Sequence, residues 1–206
     1  MKNRNFLLNL IFLFLALVVL YGAWKDDHTI EYFSKPLIMI CLAVYFLINT
    51  KRERYRWTVP FAMSLSWAGD VLLMFAWKNE MWFFAGVGAF LFSQLAYIMV
   101  FRKYGLDPGL GFMVRKPVYL IPFAIYFIAI FLLVLPGLEG IMIAIVLMYA
   151  ITLISMSIAA FNRYGRMPAR YFNILFIGSV LFVISDSLLA VNKFLTELPM
   201  SGVLVM

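Results

Sequence analysis

The chain has 206 residues, 65% of them apolar and only 13% charged, with 21 Phe, 13 Met and a formal net charge of +7; its mean hydropathy is +0.96. A soluble domain covers its surface with roughly 25% charged residues, so about half the expected charge is missing and lipid is the solvent for most of this chain. That composition excludes a secreted disulfide scaffold, a disordered tail, a nucleic-acid module and a separate soluble catalytic domain.

Long apolar runs interrupted by charge predict membrane-spanning segments near 6–24, 33–49, 58–77, 81–101, 117–135, 139–161 and 171–191. Each is close to the roughly 20 residues that cross a bilayer. Backbone groups in hydrocarbon must pair within their own segment, and these runs lack the alternation of barrel strands, so the spans are helices. The first follows Lys2 and Arg4 and ends in Leu20-Tyr21-Gly22-Ala23-Trp24, without a small-x-small cleavage site, and reads as a helix rather than a signal peptide. Pro36 and Pro117 fall near expected helix starts, where a missing N–H costs nothing, and Pro122 predicts a kink in the fifth span. Beyond Pro199 an apolar run reaches Met206 in barely two turns, which reads as an eighth helix, 198–206, cut short. The expected fold is therefore an all-α polytopic bundle, one integral membrane domain over 1–206 with seven complete helices and a truncated eighth.

Orientation follows from the basic residues. With the N-terminus inside, every Arg falls on the inner side, and only Lys25, Lys35, Lys78 and Lys193 fall outside. Loops rich in Lys and Arg stay cytoplasmic, so the N-terminus is expected in the cytoplasm and the protein in the cell membrane. The same rule accounts for the positive charge without a nucleic-acid partner. Cys41 has no second cysteine to bond and reads as packing; His28, in Lys25-Asp26-Asp27-His28, reads as a solvated loop residue. No metal or cofactor is expected.

Only two carboxylates lie inside the spans away from their ends, Asp70 in the third and Asp186 in the seventh; the other eight acids, Glu139 at the edge of the sixth included, lie in connections or at interfaces. An acid at membrane depth costs a few kcal/mol, so it faces the interior and marks a pathway or a site. Asp70 precedes Trp77 by two turns and Asp186 precedes Asn192 by nearly as much, which puts both roughly 10 Å below the outer interface. They sit in related strings, Gly69-Asp70-Val71-Leu72-Leu73 and Ser185-Asp186-Ser187-Leu188-Leu189, a pattern that fits a duplicated four-helix unit. Three readings of the acids stand side by side: interhelical hydrogen-bond staples, an acid/base pair, or a proton-coupled transport path. Lys35 enters from the outer side as an interfacial anchor or a binder of an anionic headgroup. Ser66 lies one turn from Asp70 on its face; Gln94 and Tyr97 share a face of the fourth span, and Tyr149, Thr152 and Ser155 form a stripe on the sixth. A retinal protein is set aside, because Lys193 stands at the outer end of its helix rather than in the middle.

The strings Ser66-Trp67-Ala68-Gly69-Asp70-Val71-Leu72-Leu73-Met74, Gly88 to Ile98, Leu181 to Phe194 and Lys35-Pro36-Leu37 resemble the YhhN-like lysoplasmalogenase family. The resemblance implies an eight-helix membrane enzyme that hydrolyses the vinyl-ether bond of a lysoplasmalogen drawn from the bilayer, giving a fatty aldehyde and a glycerophospho-base. It makes Asp70 and Asp186 the expected catalytic pair and Lys35 the expected phosphate ligand. Ser66, Gln94, Tyr97, Tyr149 and Asn192 are the further substrate-binding candidates. Where the resemblance leads one to expect His, this chain has Gln94, which hydrogen-bonds but does not shuttle a proton. The alternatives are a proton-coupled transporter and a non-catalytic lipid-binding protein.

Overall fold

In a computed structural model the described residues are 2–25, 28–50, 57–103 and 110–196, and they are helical without a strand among them. The helices are α1 (Lys2–Lys25), α2 (His28–Asn49), α3 (Thr58–Leu73), α4 (Glu80–Lys103), α5 (Phe112–Arg115), α6 (Ile121–Val134), α7 (Ile141–Phe161) and α8 (Ala169–Phe194); 3₁₀ turns, Pro117–Leu120 and Leu135–Gly137, flank α6. Five segments among the described residues are long and apolar enough to cross a membrane: Tyr32–Asn49, Glu80–Lys103, Pro117–Gly137, Ile141–Phe161 and Ala169–Phe194; Phe6–Gly22 and Thr58–Leu73 are shorter apolar helices. The chain is thus an all-helical membrane protein.

Its distribution of polarity agrees with that solvent. Phe14, Ile125, Ile141 and Leu181 are exposed, whereas Ser66, Ser93, Gln94, Ser157, Ser179, Asp186 and Ser187 are buried. A water-soluble core would reverse this pattern. In hydrocarbon, apolar side chains gain little by facing inward, and hydroxyl pairs and close backbone contacts hold helices together instead.

Several boundaries differ from the sequence expectation. The third span stops being α-helical at Leu73, because Phe75, Ala76 and Lys78 donate their N–H groups three residues back, to Leu72, Leu73 and Phe75, and the last turn tightens. The second helix begins at His28, so His28 opens a helix instead of lying in a loop and Pro36 lies inside it rather than near its start. The expected Pro122 kink is resolved differently: the chain runs as a 3₁₀ turn from Pro117 to Leu120 and Pro122 stands in the first turn of α6, where no N–H is needed. The sixth span begins at Ile141, after Gly140, whose φ of 52° is left-handed backbone that favours glycine. The seventh runs on to Phe194 and so includes Asn192 and Lys193. The expected eighth helix, 198–206, lies outside the described residues.

The chain forms two compact units, one up to Ala96 and one from Tyr97 on, the division falling within α4. In the first, α1 packs on α2 and α2 on α3. The Trp67 indole N–H of α3 donates to the Pro36 carbonyl of α2 at 3.1 Å. A seam of small residues joins α3 to α4: the Ser66 and Ser93 hydroxyls bond at 2.6 Å, and Ser93 donates to the Ala62 carbonyl at 2.9 Å. Beside them a Cβ on Gly69 would stand 2.6 Å from the Phe90 ring, and one on Gly86 would stand 3.2 Å from the Gly69 carbonyl oxygen. Only glycine permits so close an approach of the two backbones.

In the second unit α7 packs on α8, and α6 packs on both. Leu153, Met156 and Val183 form its buried core, with Tyr97, Phe101, Tyr126 and Tyr149 packed around them. Asn162, just past α7, receives the Met113 N–H on Oδ1 at 2.9 Å and the Phe112 N–H on its carbonyl at 3.2 Å. It thereby caps the short α5 from outside, since Gly111 at its N-cap has no side chain to do so. Arg163 is buried and donates from Nη1 to the Phe101 carbonyl at 2.8 Å, satisfying an acceptor in the last turn of α4. Burial and the neighbouring Arg166 charge hold its guanidinium below its ordinary pKa.

Candidate functional site

Each unit contains one of the two acids that the sequence singles out. Asp70 lies on α3, three residues before the helix ends, and is half-buried. Lys35 of α2 is the cation that acts electrostatically on it. The neighbouring contacts fix both helices at this level: Pro36, next to Lys35, accepts from Trp67, three residues before Asp70. Gly69 lets α4 close on the same turn of α3.

Toward the end of α3 the Tyr32 hydroxyl donates to the Met74 carbonyl at 3.2 Å and accepts from the Trp77 indole at 2.6 Å. The Tyr32 ring stacks on Phe75, and the Lys78 ammonium lies 5.0 Å from the Phe75 centroid. Amphipathic rings and a snorkelling lysine in one cluster are the composition of a membrane–water interface.

Asp186 lies on α8 and is 8% exposed. The Tyr149 hydroxyl of α7 donates to its Oδ2 at 2.5 Å. Ser187, beside it, donates to the Val183 carbonyl at 2.7 Å and accepts from the Tyr126 hydroxyl of α6 at 2.9 Å. Three helices thus converge on the Asp186–Ser187 dipeptide, with the apolar cluster of Leu153, Met156 and Val183 in the same unit.

The other candidates divide by what they touch. Tyr149, expected to bind substrate, is bonded to Asp186. Ser66 is committed to Ser93 and closes the α3–α4 seam. Tyr97 packs against the Leu153 cluster and stacks with Phe101, ring centroids 5.8 Å apart. Gln94 is 1% exposed, next to Ser93 in α4. Asn192, six residues beyond Asp186, is half-buried and sits about 120° around α8 from it. Of the stripe on α7 only Tyr149 reaches across to another helix through a hydrogen bond described here; Thr152 returns to the Met148 carbonyl of its own helix at 2.9 Å. Tyr126, Ser187 and Ser93 were missed in the sequence, although Ser187 and Ser93 adjoin residues it singled out.

A buried carboxyl oriented by a phenol is chemically suited to proton transfer. The model of the YhhN family matches residues 30–206 of the chain. No curated protein and no solved structure matches it.

Proposed function

The chain belongs to the YhhN family, and from that premise we propose that it is a hydrolase of the cell membrane that cleaves the vinyl-ether bond of lysoplasmalogens or a related ether lysolipid. The observation that carries the reading is Asp186, an acidic side chain buried at membrane depth with Oδ2 held by Tyr149. A carboxyl group is costly in such a place, and a purely structural staple is achieved elsewhere in this protein by serine pairs.

The chemistry needs an acid and a base. A carboxylic acid transfers its proton to the β-carbon of the vinyl ether, leaving an oxocarbenium ion. A carboxylate takes a proton from water as the oxygen adds to the α-carbon. The resulting hemiacetal collapses, its C–O bond to glycerol breaking, to a fatty aldehyde and a glycerophospho-base. Asp70 and Asp186 supply the two roles, and Lys35 balances charge at Asp70 and draws the headgroup phosphate. Seven complete spans with the N-terminus inside are the topology that goes with this reading.

Purified protein in detergent should release aldehyde from a lysoplasmalogen. Asp70→Asn and Asp186→Asn should each lower turnover by about 100-fold or more, as loss of a general acid or base does, while the protein stays folded. Full activity in either variant overturns the paired mechanism. Proton or substrate flux in liposomes without product would identify a transporter.

A further inference from the structure

Helices α6, α7 and α8 bond to one another at the Asp186 level but do not close along their length: a cavity of about 360 Å³ lies among them. One end is walled by Tyr126, Ile154 and Val183, the other by Tyr119, Phe161 and Phe176. The first end adjoins the acid. Val183 and Asp186 are neighbours on one face of α8. Tyr126 lines the cavity with its ring and gives its hydroxyl to Ser187. Along α8 the wall runs from Ile184 to Phe176, about 12 Å at 1.5 Å per residue. Half the hydrocarbon core of a bilayer is about 15 Å, so the cavity matches most of a lipid chain's course through one leaflet.

The lining also restricts the occupant. The Ser157 hydroxyl bonds Ser179 at 3.3 Å and the Tyr126 hydroxyl bonds Ser187, which turns both toward other protein groups. The rest of the wall is rings and branched aliphatics, suited to neither a sugar nor an ion. The volume lies near the lower limit of the roughly 300–1,000 Å³ usual for small-molecule sites, room for one chain and not for two.

We propose that this cavity seats the hydrocarbon chain of a single-chain lipid and thereby presents the chain's polar end to Asp186. The identity of that polar end rests on the ether-lysolipid reading; the chain seat rests on the cavity. The chain arrives from hydrocarbon, so the hydrophobic effect contributes little, and fit against fixed rings selects it. Rates at equal mole fraction in micelles should therefore change with chain length until the far wall at Phe176 is reached, by less than the about fourfold per methylene that transfer from water would give.

Two experiments test this separately from the chemistry. A saturated decyl-ether lysophosphoethanolamine with a diazirine at the chain terminus, photolysed with wild-type protein, should label peptides containing Phe161 and Phe176, and excess unlabelled decyl lysolipid should compete. Val180→Trp, midway along the wall, should lower kcat/KM for a decenyl substrate relative to a butenyl one by about tenfold, as overpacking does. Uncompeted label scattered over outward residues such as Ile125 and Leu181 overturns the seat and leaves only surrounding lipid. Competed labelling without aldehyde from any vinyl ether retains the seat and removes the hydrolase. Aldehyde release with label elsewhere and an unaltered chain profile in Val180→Trp does the reverse.

Discussion

The Tyr149 hydroxyl donates to one oxygen of Asp186, so the bond acts on the carboxyl's rotation, a torsion that is otherwise broad. Tyr149→Phe should lower kcat by about 10- to 100-fold through misplacement of the carboxyl while KM stays near its original value. Stability should drop by only about 0.6 kcal/mol, the mean for interhelical hydrogen bonds in membranes. A raised KM with kcat intact would instead return Tyr149 to substrate binding. The two acids stood out in the sequence because they are the only carboxylates in the interior of its long apolar runs. Their partners did not: nothing in the sequence marks Tyr149 as the residue that bonds Asp186, since it is one of several tyrosines in apolar helices. Which tyrosine meets an acid is set by helix rotation, a tertiary quantity.

Among the elements, α3 and α4 approach closely one residue before Asp70. Gly69→Ala would place a methyl 2.6 Å from the buried Phe90 ring, whose Cγ at 2.9 Å leaves no room to pivot. The expected cost is about 1–3 kcal/mol, read as a lower midpoint of thermal unfolding in detergent, with partial recovery when Phe90→Leu is added. An unchanged midpoint would mean that the seam is loose. The all-helical class and five of the expected spans were legible because long apolar runs have one physical solution in lipid. Their ends were less so. The extension of α2 back to His28 carries Pro36 into a helix interior, and the tightened turn after Leu73 depends on Tyr32 and Trp77 closing over Met74. Asp70 accordingly stands three residues from the end of its helix and Asp186 eight from the end of its own, although their local strings are alike.

For the whole molecule, the bias of Arg toward alternate connections predicts which end of each span meets the cytoplasm. In a Cys41→Ala background, Lys78→Cys should react with an impermeant maleimide on intact cells and Arg166→Cys should not; the opposite pattern would invert the topology. The burial of serine and the exposure of phenylalanine and isoleucine also bear on how this chain tolerates change. Its helices recognise one another through a few hydroxyls and two glycines, Ser66, Ser93, Ser157, Ser179, Gly69 and Gly86, while most of its bulk faces a fluid indifferent to side-chain shape. Mutational drift should accordingly run fast around the perimeter, where one large aliphatic replaces another at no cost, and stall at the smallest residues in the chain.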